Sequence, residues 1–178
     1  YHAYGFWDRN FAMMMILSDI IFAGIAGLGF AYVARPPFRT LIISAVLAGL
    51  GHGFRTILVE IYHFEMLAFA TFLAAFLVGL LALLCSKYLK TPSEIISFPA
   101  LLPMIPGVYA YKTILFLIAF LNSHDENARL LYLKDFFEHF FTTLSVTAAL
   151  GVGASSVLLL FVEQSFKLTR YSKLFKIK

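Results

Sequence analysis

Three prolines and a glycine interrupt one long apolar run: Pro99, Pro103, Pro106 and Gly107 come before Tyr109, Tyr111 and Lys112, and the run resumes through Ile114 to Leu121. A helix cannot pass through such a stretch unbroken, because each proline removes a backbone donor and crowds the carbonyl four residues back. The spacing predicts a helix broken at Pro103–Gly107. In hydrocarbon, the carbonyls and amides orphaned at such a break are costly unless protein, water or a solute satisfies them. What occupies the break is therefore the question the sequence poses.

The medium follows from the residues around it. Of 178 residues, 61% are apolar and 13% charged, the mean hydropathy is +0.84, and the charges are crowded into a few short segments. The apolar runs are near or above the ~20 residues that span a bilayer as a helix, and no alternating pattern suggests an outer-membrane barrel. The expected fold class is all-α: a polytopic membrane protein, one membrane domain over residues 1–178. Five spans are read at about 11–34, 40–59, 66–88, 95–121 and 136–162, the fourth being the broken one. Glu60–Glu65 is a short acidic link, Asn122–Asp135 the one long polar connection, and 163–178 a basic tail. With Cys85 the only cysteine, neither an intrachain disulfide nor a cysteine-based zinc site is available. Residues 1–9 lack the basic start and short apolar core of a cleavable signal peptide.

Basic residues set the orientation. Arg35, Arg39, Lys87, Lys90 and the tail residues Lys167, Arg170, Lys173, Lys176 and Lys178 fall on one side of a five-span layout. Arg9, Arg129 and Lys134 fall on the other, with most of the acids: Asp8, Glu60, Glu65, Asp125, Glu126, Asp135 and Glu138. The positive-inside rule then puts the N-terminus outside and the C-terminus in the cytoplasm. Anionic lipid head groups explain the basic tail more simply than nucleic acid, so membrane lipid is an expected partner and nucleic acid is not.

Small residues recur at helical spacing in the first span (Gly24, Gly27, Ala31), the third (Ala68, Ala75, Gly79, Ala82) and the fifth (Gly151, Gly153, Ala154, Ser155). In lipid such faces mark close helix contacts. Polar residues inside the spans say more. His52 and Arg55 are three apart on the second span and share a face with Thr56. His52, flanked by Gly51 and Gly53, is either a functional ionisable group or a neutral histidine satisfied by a neighbouring helix. Arg55, near the outer end, either joins it or snorkels to the interface. Asp19 either ion-pairs with Arg55 or carries a proton. Lys112 either attracts an anionic solute or reaches an interface along its stem. The half-helix starting near Gly107 should direct free amides and a positive dipole end at the break, which suits a carboxylate, with Tyr111 on the same face.

Covalent chemistry has little support. His52, His63, His124 and His139 form no i, i+4 pair and no HExxH motif, and no serine or cysteine sits in a nucleophile turn. No enzyme activity, metal or cofactor is expected.

Gly51, His52, Gly53 and Arg55 in the second span, with Pro103, Pro106, Gly107 and Tyr111 in the fourth, resemble the threonine/serine exporter family, in its small YjjB-like subunit form. The likeness extends through Gly29, Phe30, Ala31, Pro37 and Arg39. It implies a split inner-membrane transporter in which such a subunit works with a larger YjjP-like membrane subunit, exporting small amino acids such as threonine and serine or dicarboxylates such as succinate. Five spans here and five in an oppositely oriented partner would make an inverted repeat with broken helices at the midplane. The substrate path would then use Pro103, Pro106, Gly107, Tyr111, Lys112, Gly51, His52, Gly53 and Arg55, with His52 or Asp19 coupling to protons. The competing expectation is a non-transporting membrane scaffold that positions a partner protein, its prolines serving as packing kinks.

Overall fold

The first helix ends in this chain are set by a proline pair and left-handed residues, whereas the last helix starts on a polar cap, the Asp125 carboxylate accepting from the Asn127 amide at 3.2 Å. The computed structural model describes residues 4–62 and 66–174, with side chains over 13–62 and 66–161. His63 and Glu65, and the side chains of Asp8, Arg9 and the basic tail, lie outside the described residues. α1 (Tyr4–Val33) stops before Pro36 and Pro37, with Arg35 in the left-handed region at φ 48°. α2 (Phe38–Glu60) starts on Pro37, whose carbonyl takes the Thr40 amide. α3 (Leu67–Leu89) ends on Lys90, also left-handed at φ 53°. α4 (Ser93–Leu101), a 3-10 turn (Leu102–Met104) and α5 (Gly107–Asn122) follow, and α6 (Glu126–Leu174) closes the described chain. No strand occurs among the described residues.

Four stretches are long and apolar enough to cross a membrane: Met13–Val33, Phe38–Glu60, Leu67–Leu89 and Glu126–Phe161. Ser93–Met104 and Gly107–Asn122 make a fifth if counted as one span bent by 49°. The all-α, polytopic expectation holds, as does the interruption of the fourth span.

Three details differ from the sequence reading. Pro99 does not stop its helix. It sits close to the end of α4, where its missing donor costs one bond, and its ring is buried. The polar connection shrinks to three residues, Ser123–Asp125, because α6 begins at Glu126 and runs 49 residues. Ala128, Arg129, Leu130, Leu131, Leu133 and Lys134 are good helix formers without an intervening glycine or proline, so polarity there marks a helix leaving the apolar zone rather than a loop. Asp19 and Arg55, third, do not form an ion pair; His52 stands between them.

α1 packs along α2, α2 on α3, and α3 on α6, while α4 sits against α1, α2 and α3. The buried cluster is made of Leu47 and Ala48 (α2), Ala74, Ala75, Val78 and Ala82 (α3), Ile96 and Ala100 (α4), Met104 and Leu150 (α6). Small residues permit this closeness where burial from water supplies no force between helices. A Cβ on Gly51 would run into Met104 and Val78, and one on Gly53 into Ile20. Gly153 likewise lies against the Phe72 carbonyl of α3. Gly151 and Ser155, also read as packing residues, are instead exposed.

Candidate functional site at the broken helix

The corner between α4 and α5 is built by the rule for residues preceding proline. Ile105 is pushed to extended backbone (φ −62°, ψ 130°) ahead of Pro106. Pro106 at φ −78°, ψ 63° makes an inverse γ-turn, its Gly107 amide donating to the Ile105 carbonyl at 2.8 Å. The Ala110 amide then bonds back to Pro106, but the amides of Val108 and Tyr109 have no backbone acceptor ahead of the helix and no side-chain cap. The α5 N-terminus thus presents free donors on an exposed surface.

On the other side of the corner, the carbonyl of Met104 accepts a 2.9 Å bond from Nη1 of Arg55. Arg55 Nη2 lies 2.9 Å from His52 Nε2. Since a guanidinium only donates, Nε2 is the acceptor and the imidazole is neutral, with its hydrogen on Nδ1. Nδ1 is buried without a hydrogen-bond partner and lies 3.7 Å from Oδ2 of Asp19. The same oxygen accepts from the Thr56 hydroxyl at 2.8 Å, and that hydroxyl also lies 3.1 Å from the His52 carbonyl. One polar chain therefore runs from α1 through about one turn of α2 to the interrupted backbone: Asp19, Thr56, His52, Arg55, Met104.

The structure divides the residues singled out by sequence. His52, Arg55 and Asp19 come together. Gly51 and Gly53 are buried in helix contacts beside them, and Pro106 is buried at the corner. Gly107, Tyr111 and Lys112 are all exposed on α5. Gly107 has a negative φ, and a Cβ there would meet nothing within 4 Å, so neither backbone geometry nor this chain's own packing requires glycine. Tyr109, rather than Tyr111, faces α6 while staying partly exposed. Its ring is 5.6 Å from that of His139 on α6, and it is within electrostatic reach of Arg55. Helical period would have found it, since Tyr109, Thr113 and Phe116 recur at i, i+4 and i+7, and Thr113 is buried. The Met104 carbonyl left no signal, because any residue supplies that atom.

Beyond the corner, Phe98, Leu101, Leu102 and Ile105 face Thr147, Leu150, Gly151, Ala154 and Ser155 of α6 across an open apolar groove of about 320 Å³. No group of three or more metal-ligating side chains occurs among the described residues.

Residues 19–160 match the family model of the threonine/serine exporters, a segment that begins at Asp19 and takes in every member of the polar chain. The chain belongs to the threonine/serine exporter family. That is a family of transporters and not of enzymes. An uncharacterized protein of Haemophilus influenzae is 35% identical over 154 residues, which cover 85% of this chain and 50% of that protein. The chain spans about half the length of this relative. No solved structure matches it.

Proposed function

We propose that this chain is one half of a secondary exporter that carries a small carboxylate-bearing metabolite, a threonine- or serine-like amino acid or a dicarboxylate such as succinate, across the inner membrane. The carrying observation is the polar chain that ends on the carbonyl of a broken span, since ionisable groups within spans and interrupted helices belong to solute paths in transporters. The α5 N-terminus supplies the free amides and positive dipole end that suit a carboxylate.

The other half of the path belongs to a larger YjjP-like membrane subunit, oriented oppositely. Two facts support this: Gly107 is a glycine with empty space before it, and the matched relative is twice the aligned length. Arg35, Arg39, Lys87 and Lys90 at one set of helix ends support an outside N-terminus and a cytoplasmic C-terminus.

Efflux of preloaded serine, threonine and succinate from cells with both halves tests the reading, with Gly107→Leu as the variant. Because a Cβ at this exposed position meets nothing within 4 Å, the protein should reach the membrane at its normal level and lose export about tenfold or more. Export unchanged by Gly107→Leu would remove the path from this corner and return the chain to a scaffold role.

A further inference from the structure

We infer that Arg55 is the carboxylate-binding residue of this path and that His52 holds its guanidinium between solute molecules, so that solute binding and protonation of His52 are coupled. The inference rests on the transport reading and deepens it.

Arg55 spends Nη1 and Nη2 on two neutral acceptors, the Met104 carbonyl and His52 Nε2. A carboxylate offers two oxygens that match the same fork and adds the opposite charge that both present acceptors lack. A solute carboxylate arriving at the corner therefore displaces both acceptors. Lys112, the other cation near the break, lies on the exposed face of α5 and is a point charge on a long stem.

The exchange has a consequence at His52. While Arg55 donates to Nε2, a proton cannot bind there. Once the carboxylate takes the guanidinium, Nε2 is a free base, and a proton from water converts the ring to an imidazolium beside Asp19, with Nδ1 already 3.7 Å from its carboxylate. In reverse, a proton on Nε2 turns an acceptor into a donor and releases Arg55. By linkage, each event favours the other to the same degree.

Few other groups compete at this level. α1 contributes Asp19, α5 the Tyr109 hydroxyl, and the 3-10 turn only a carbonyl. The ionisable residues of α3 (Cys85, Lys87, Tyr88) are in its last two turns and that of α4 (Glu94) in its first, whereas the contact beside His52 involves Val78 and Met104.

The test uses the complete transporter in proteoliposomes, with radiolabelled serine and succinate in exchange mode at equal pH on both sides. Arg55→Gln should abolish exchange. Arg55→Lys keeps the charge and a donor for Met104 but loses the fork, and should raise KM about tenfold at unchanged protein level. Wild-type KM in the lysine variant overturns the anchor. If Gly107→Leu stops exchange while both Arg55 variants exchange normally, the path stands and the anchor falls. If Gly107→Leu also exchanges normally, the path through this corner falls together with the anchor, whereas a wild type that exchanges neither solute overturns the transport reading itself. For the coupling, serine is followed between about pH 5.5 and 8, the histidine range, over which its carboxyl stays ionised. The wild-type KM should drop as pH falls. His52→Gln, whose amide oxygen still accepts from Arg55 but does not titrate, should flatten that dependence. A wild-type pH profile in His52→Gln overturns the coupling.

Discussion

The two halves of the interrupted span are unequal. α4 is seated in a groove formed by α1, α2 and α3, with Ser93, Ile96, Pro99 and Ala100 buried. α5 has one buried residue, Thr113, and rests on α6. The first half is thus part of the helix bundle, and the second is carried on a single neighbour with most of its surface open to lipid or to another subunit. Arg55 bridges the bundle to the corner where they part. A corner with one fixed side and one unpartnered side is where a transport path can be shared with a second subunit, and the difference between the halves is directly open to mutation.

The largest contrast is expected between glycines on either side of the corner. Gly51→Leu drives a side chain into Met104 and Val78 and should cost about 3 kcal/mol or more, seen as loss of folded protein in detergent thermal melts. Gly107→Leu should leave the melt unchanged. Equal destabilisation by the two would erase the distinction between a seated and an open half. Next, Ile96→Ala on α4 should cost about 2 kcal/mol, whereas Ile114→Ala on α5, 62% exposed, should stay within about 0.5 kcal/mol. Thr56→Val removes the 2.8 Å bond to Asp19 and should cost about 1 kcal/mol, because the carboxylate loses its hydroxyl partner. The smallest effect is expected at the entrance to α4: Lys90→Gly relieves a left-handed lysine and should stabilise by somewhat under about 1 kcal/mol.

The corner was legible in the sequence, but the inequality of its two sides was not. Pro103 and Pro106 announce the corner because proline chemistry is local, and the residue before each is restricted whatever surrounds it. His52 and Arg55 share a helix face by spacing alone. The bond from Arg55 to Met104 was hidden, since it joins a side chain to a backbone oxygen 49 residues away. A pairing of Asp19 with Arg55 was one of two readings of that carboxylate, but a histidine one turn before the arginine intercepts it, accepting from Arg55 and facing Asp19. The start of α6 was misjudged because charge was taken for a loop, although Glu126–Asp135 contains nothing that breaks a helix.

α6 carries α5 at one level and is bolted to α3 at another. Its His139 touches Tyr109 and Phe116, while Gly153 and Val157 lie against Phe72 and Gly79. At 1.5 Å per residue these levels are roughly 20–27 Å apart along one uninterrupted rod. A tilt of about 5° pivoting on α3 would therefore swing α5 by roughly 2 Å, by the same helix geometry. That is a sizeable fraction of a small solute's width, delivered to the corner by a shaft whose pivot lies beside the bundle that holds α4.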